Sequence, residues 1–304
     1  MSEESQFDVK NAISGVLVVD KPVGLTSHEV VQIIRRGTNI RRAGHTGTLD
    51  PRASGVLIVL IGPAVRLSEY VSASDKRYQA IIRLGATTDT FDADGRFTSK
   101  DAATQTTEEQ FETTLKTFVG EIIQTPPPYS AVKVQGRPAY EMAREGEEVV
   151  LEPRKIQVYS LELLEWAPPE AVIDVYCSSG TYVRSLANDL GDKLGCGAYL
   201  TGLRRTKSGR FTLRDAVPLR KLREAFEAGN WYQYVIPAAD ALSDWPSLEL
   251  NNEQVEAVRH GHRVPAEAGT TGMARGISEA GELIALLEVD PATQEWQPRK
   301  VFFT

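Results

Sequence analysis

The stretch GHTGTLDPRASGVLIVLIG, residues 44–62, sets one carboxylate, Asp50, behind a histidine and two glycines and ahead of a long apolar run. No second acid and no His/Cys cluster stands in that stretch, so neither a paired acid and base nor a metal-ligand set is written there. A lone carboxylate can still supply a nucleophile or a base. Gly44 and Gly47 permit tight turns or the close approach of a ligand. Pro51 drives the residue before it, Asp50, toward extended backbone. Asp50 is therefore expected on an irregular loop that leads into a buried strand, where a rigid scaffold can hold a catalytic group. An Asp-Pro pair is also an ordinary turn former, and spacing alone does not choose between the two.

The elements around the loop follow from local pattern. ISGVLVVDKPVGLTS reads as a strand ending in a Pro/Gly turn. TSHEVVQIIRRGTN carries a helix start, with Thr26 or Ser27 as N-cap and apolar residues at helical spacing. GVLIVLIG reads as a buried strand, RYQAIIRLGATTDTFDADG as a strand and a turn, and TTEEQFETTLKTFVGEI as a capped helix. QVYSLELLEW is a further strand, and AVIDVYCSSGTYVRSLANDLGDKLG is a strand that runs on into a helix. TPPPYS, residues 125–130, reads as a rigid extended connector. Strand runs mixed with separate helices predict an α+β chain with a mixed, mainly antiparallel central sheet and flanking helices. A boundary is expected near 244–247. Beyond it GHRVP, GELIALLEVD and RKVFFT predict a small β-rich domain.

The chain has 304 residues, a net charge of −7 and a hydrophobic share of 41%. Its two cysteines, Cys177 and Cys196, sit in no CxxC pair, which argues against a disulfide framework and a zinc site. The N-terminus shows no signal-peptide pattern, and the longest apolar runs fall far short of the roughly 18 residues of a membrane span. A cytoplasmic protein is expected. The charge is unevenly spread. Lys21 to Gly85 holds ten Lys/Arg against four Asp/Glu, and Gly202 to Arg214 holds five Lys/Arg and no acid. Ala86 to Thr125 holds three bases against eight acids, and Trp245 to Thr304 five against nine. Basic patches on an acidic chain suit phosphates locally, although such blocks are also ordinary solvated faces. TDTFDADG echoes part of a calcium loop through Thr90, Asp92, Asp94, Gly95 and Asp101, but the last position lacks the bidentate glutamate such loops use, so an acidic turn fits better.

Five stretches taken together carry a family resemblance. GHTGTLDPRASG resembles the catalytic motif of the bacterial tRNA pseudouridine-55 synthases. LVVDKPVGLTSHEVV resembles their Lys-Pro motif, SDKRYQAIIRLGATTDTFDADG the motif with their tyrosine, PPPYSAVKVQGRPAYEMAREG their RNA-gripping thumb, and CSSGTYVRSLANDLGDKLGCGAYLTGLRRTKSGRF their arginine motif and the stretch after it. The resemblance covers most of residues 13–211, while the last sixty residues look like a small PUA-like RNA-binding domain. It implies a flexible tail over 1–12, a catalytic domain over 13–244 with a thumb at about 126–146, and the PUA-like domain over 245–304.

By this resemblance Asp50 is the catalytic aspartate. His45 stacks into the space left by a flipped base, and Tyr78 stacks on the target base. Arg184 pairs with the aspartate, and Tyr182 and Leu203 line the pocket. Lys21 and Pro22 support the active-site loop. Arg52, Lys133, Arg137, Arg144, Arg204 and Arg205 are expected to contact RNA. Arg52 departs from the family, where many members carry an apolar residue, and the acidic C-terminal stretch is a second departure. The implied activity is isomerisation of uridine to pseudouridine in the T loop of tRNA, by base flipping and rearrangement of the glycosidic bond, with a tRNA-folding role alongside it. No cofactor or metal is implied. The expected partner is the T arm of tRNA, for a monomer with no guide RNA and no membrane association; guided relatives lack the thumb.

Overall fold

The computed structural model describes residues 13–100 and 105–302; the expected tail over 1–12 and Asp101 lie outside the described residues. The chain forms β1 (Gly15–Lys21), α1 (Ser27–Thr38), β2 (Ala43–His45), β3 (Ala53–Ile61) and a short α2 (Ser68–Ser72). Next come β4 (Lys76–Leu84), β5 (Ala86–Thr88), β6 (Phe97–Lys100), α3 (Glu108–Lys116) and β7 (Gly120–Gln124). A small hairpin of β8 (Lys133–Val134) and β9 (Arg137–Pro138) leads into α4 (Ala139–Arg144). The long strands β10 (Arg154–Ala167) and β11 (Glu170–Cys177) precede α5 (Val183–Leu194) and β12 (Ala198–Ser208). The remainder comprises β13 (Phe211–Thr212), β14 (Val217–Pro218), α6 (Leu219–Ala228), β15 (Ile236–Pro237), β16 (Ser247–Leu250), α7 (Asn252–Arg259), β17 (Val264–Pro265), β18 (Met273–Ser278), β19 (Leu283–Asp290) and β20 (Glu295–Val301).

Packing divides the chain into two compact units. The first takes residues up to Pro51, Val56–Ser72 and those from Arg210 onward; the second takes Arg52–Gly55 and Ala73–Gly209. In the first unit β1 pairs parallel with β14 and antiparallel with β15, and β2 lies antiparallel on β3 with His45 opposite Val59. The start of α1 is fixed by a reciprocal cap, in which Glu29 N–H donates to Thr26 Oγ1 at 3.1 Å and Thr26 N–H donates to the Glu29 carboxylate at 2.7 Å. That bonding holds the Glu29 carboxyl below its ordinary range. Past the expected boundary near 244, β16 pairs parallel with β18, and β18, β19, β20 and β17 continue antiparallel. This five-stranded sheet has its own core, including Leu250, Val258, Ile284, Leu287 and Trp296. Its Leu283 and Leu286, with Phe302 just past β20, also pack into one apolar cluster with Val16, Val56, Ile58 and Leu60, and the expected boundary falls inside the first unit.

The second unit is built on the order β12-β4-β11-β10-β7, every neighbour antiparallel. Residues 53–55 at the start of β3 lie parallel to β12, with Leu203 beside Ala53 and Arg205 beside Gly55. Gly55 sits at φ +99°, and a Cβ there would stand 2.2 Å from the Arg205 carbonyl oxygen, so only glycine allows the strands this close. β4 alternates buried and exposed residues without a break from Lys76 to Leu84, as a strand with one covered face must. Helix α3 covers part of the sheet through Phe111, whose ring centroid lies 5.0 Å from that of Trp166. The architecture is the mixed, mainly antiparallel α+β arrangement that the pattern predicts.

Candidate active site

Asp50 lies half-buried on an irregular loop, residues 46–52, between β2 and β3. The backbone on each side of it is held by side chains from the preceding elements. Ser27, the first residue of α1, accepts from Leu49 N–H at 2.8 Å and donates to the Leu49 carbonyl at 2.9 Å. On the other side Gly24 N–H donates to the Pro51 carbonyl at 2.8 Å, and the Lys21 ammonium donates to the same oxygen at 3.4 Å. Lys21 is fully buried, at 0% exposure, and also bonds the carbonyls of Pro22 and Leu25. A buried ammonium needs acceptors in place of its water, and by bonding these carbonyls Lys21 ties the Lys-Pro turn to the loop. His45 ends β2 half-buried, and Thr46 N–H donates to the Ile58 carbonyl at 3.1 Å.

The second unit carries the other candidates. Tyr78 points to the covered face of β4, 8% exposed, between Val175 of β11 and Arg205 of β12. Arg184, 6% exposed in the first turn of α5, donates to the Thr90 carbonyl at 3.2 Å, to Asp92 Oδ2 at 3.3 Å and to the Tyr129 carbonyl at 3.0 Å. It thus ties the helix to the acidic turn and to the foot of the thumb. Tyr182 is the N-cap of α5. Gln124 holds its backbone on both sides, accepting from Tyr182 N–H at 2.8 Å and donating to its carbonyl at 3.1 Å. The Arg154 guanidinium lies 4.9 Å from the centre of the Tyr182 ring. Leu203 is half-buried on β12 between Ala53 and Ala80.

Asp92 and Gln124 were not among the expected site residues. Asp92 lies in the turn that echoed a calcium loop, and its Oδ1 accepts from the Thr90 hydroxyl at 2.6 Å and from Asp94 N–H at 3.0 Å. Asp94 pairs with Arg52. The acidic turn therefore spends its carboxylates on arginines, and the pair with Asp94 raises Arg52 above its ordinary range.

The expected RNA contacts are placed unevenly. Arg52 is exposed in its pair with Asp94. Arg204 is half-buried, 3.4 Å from Ser54 Oγ. Arg205 is 2% exposed, which removes it from the RNA-facing surface expected for it; it lies opposite Tyr78 of β4, on the same covered face. Lys76, also buried, has its ammonium pushed down to about 8, chiefly by burial and then by the Arg205 charge. Burial pushes the neighbouring Cys177 thiol up to about 11. In the thumb, Lys133 and Arg144 are exposed, Arg144 lying 5.6 Å from the Tyr140 ring centre, and Arg137 is paired with Glu145 at 2.6 Å and Glu147 at 2.8 Å.

Residues 35–183 match the N-terminal domain of the TruB family pseudouridylate synthases, and 184–242 match the tRNA pseudouridylate synthase B C-terminal domain. The tRNA pseudouridine synthase B of Thiobacillus denitrificans is 43% identical over 97% of this chain and 98% of its own length. The chain belongs to the TruB family of pseudouridylate synthases. Residues 245–303 match the C-terminal domain of tRNA pseudouridine synthase II. Another TruB relative, tRNA pseudouridine synthase B of Pseudomonas aeruginosa, is 41% identical over 92% of this chain and 93% of its own. Among solved structures, a chain of a Cbf5-Nop10-Gar1 complex shares 30% identity at a TM-score of 0.75, over 97% of this chain and 87% of that one. A chain of an H/ACA RNP bound to a substrate RNA containing 2′-deoxyuridine shares 28% at 0.74, over 99% and 87%. These fix the TruB-type pseudouridine synthase fold and the enzyme class. Among the described residues no helix is long and apolar enough to cross a membrane.

Proposed function

We propose that this TruB-family enzyme converts uridine 55, in the T loop of tRNA, to pseudouridine, with Asp50 as the catalytic carboxylate. The observation that carries the reading is the loop held on both sides of Asp50, by Ser27 at Leu49 and by Gly24 and Lys21 at Pro51. A group that must meet one ribose or base atom benefits from a backbone fixed in advance. The reaction cleaves the bond between uracil N1 and the ribose, turns the base and joins C5 to the same ribose carbon. Its atoms balance without an added reactant. The carboxylate attacks sugar or base, or removes a sugar proton, and the three routes share the same placement.

The base must leave its stack to reach the carboxylate. In this reading His45 fills the gap it leaves, Tyr78 stacks on it, Tyr182 and Leu203 line its pocket, and Arg184 keeps the carboxylate ionised and aimed. The curated relatives' name, tRNA pseudouridine synthase B, supports tRNA as the substrate. The thumb favours an enzyme that finds tRNA without a guide, although the similar solved structures come from H/ACA assemblies; the reading further takes it as a cytoplasmic monomer. Residues 13–244 would then carry the chemistry and 245–304 assist RNA binding as a PUA-like domain, with tRNA folding as a further role. Incubating the full chain with unmodified tRNA and mapping pseudouridine by chemical labelling and mass spectrometry tests the reading; a product at position 55 is expected, and product elsewhere or none overturns it.

A further inference from the structure

Arg137 stands on β9 and spreads its two terminal nitrogens onto two carboxylates, one to Glu145 Oε2 at 2.6 Å and the other to Glu147 Oε1 at 2.8 Å. The fork is built by the end of α4. Gly146 takes φ +79° and donates to the Ala143 carbonyl at 3.2 Å, and Glu147 N–H donates to the Met142 carbonyl at 3.1 Å. The chain turns back at the glycine, and the residues on either side of it face the hairpin. A guanidinium in such a fork presents to carboxylate oxygens the donors it would present to phosphate oxygens.

We propose that Glu145 and Glu147 occupy Arg137 as a stand-in for phosphate in the free enzyme, and that RNA must displace them for the thumb to engage, which makes both glutamates determinants of RNA affinity. The inference rests on the proposed role of residues 126–146 as an RNA clamp. All three side chains are 40–61% exposed, so the pairs are weak, screened by salt and exchangeable. The fork raises Arg137 above its ordinary value and holds Glu147 below its own, so that pair stays charged at neutral pH. Exchange leaves two carboxylates beside the RNA backbone. That repulsion lowers affinity, most of all for RNA too poorly seated to offset it.

The test is equilibrium binding of unmodified tRNA to the full chain carrying Asp50→Asn, across a salt series. Glu145→Gln/Glu147→Gln should tighten binding about three- to tenfold at low salt. The slope of log affinity against log salt should steepen by about one, the mark of one more neutralised phosphate. The same pair of changes made with Arg137→Gln should gain much less. An equal gain with and without Arg137 would show the glutamates acting only as general negative charge, and unchanged or weaker binding would make the fork a structural clasp; either overturns the inference. Lys133→Gln and Arg144→Gln separate the two levels. If both weaken binding while the Arg137 coupling is nil, the fork fails and the clamp stands; if neither weakens it, the clamp itself fails and the fork with it.

Discussion

Ser27 Oγ bonds both backbone groups of Leu49, accepting from its N–H at 2.8 Å and donating to its carbonyl at 2.9 Å, one residue before Asp50. Ser27 is 2% exposed, so water cannot take its place. Ser27→Ala should leave the Leu49 groups unsatisfied and cost about 1–3 kcal/mol of stability. The turnover rate on saturating tRNA should fall about tenfold or more, because a small displacement of a reacting group is costly, with little change in KM. Unfolding curves and steady-state kinetics check both; a stability loss at unchanged turnover would mean that the clasp serves the fold alone.

Asp50→Asn should abolish isomerisation and leave tRNA affinity within a few-fold of the parent. In the proposed function, binding energy is spread over phosphate contacts on several patches, whereas Asp50 addresses one nucleotide. Pseudouridine mapping and filter binding on the same preparations separate the two quantities. Near-parental turnover would remove Asp50 from the mechanism.

Lys76 provides a pH signature. Its ammonium sits near 8 in the folded protein, against an ordinary 10.5. Between those values the unfolded chain binds more protons than the folded one, so stability rises with pH across this window. Below it Lys76 is charged in both states, and the cost of burying that charge is fully present. Lys76→Met should therefore stabilise most near neutral pH, with the advantage shrinking from pH 8 toward 10.5. Urea unfolding of both proteins at several pH values measures the difference. A constant offset would show that Lys76 keeps an ordinary affinity for its proton in the folded state.

What was legible in the sequence divides by range. β3 announced itself as a continuous apolar run, and α1 through an N-cap at Thr26 or Ser27 ahead of apolar residues at helical spacing, because both signals lie within a few residues; the structure makes Thr26 the cap. The loop around Asp50 was legible from Gly44, Gly47 and Pro51 for the same reason. β12 was not assigned: LTGLRRTKS shows no alternation of apolar and polar residues, and it places a charged side chain, Arg205, at a buried position. The short helix α7 was overlooked in a stretch read as β-rich, although Asn251 and Gln254 form a reciprocal cap there. Asp92 meets Arg184 across ninety-two positions, and no local pattern encodes such a pairing. The fork on Arg137 spans only eight and ten positions, yet the glycine turn that closes it becomes visible only in three dimensions.

The thumb should be the segment that proteases find first in the free protein. Between 126 and 146 only Pro126, Pro127, Ser130 and Ala139 are buried, so past the foot little apolar surface opposes local opening. Its foot is better held, since Arg184 bonds the Tyr129 carbonyl and Ser185 Oγ donates to the Thr125 carbonyl at 2.8 Å. Trypsin should therefore cut after Lys133 and Arg144; the bond after Arg137 precedes Pro138 and should resist. Unmodified tRNA should protect both sites if the segment closes on the T arm, with phosphate contacts offsetting the cost of ordering it. That protection should fade as salt is raised, because the contacts release counterions. Limited digestion with and without tRNA at low and high salt, read by mass spectrometry, follows each site separately. Cleavage indifferent to tRNA at every salt concentration would show that the segment does not grip RNA, whereas protection of Arg144 alone would confine the grip to the α4 end, where Arg144 lies over the Tyr140 ring.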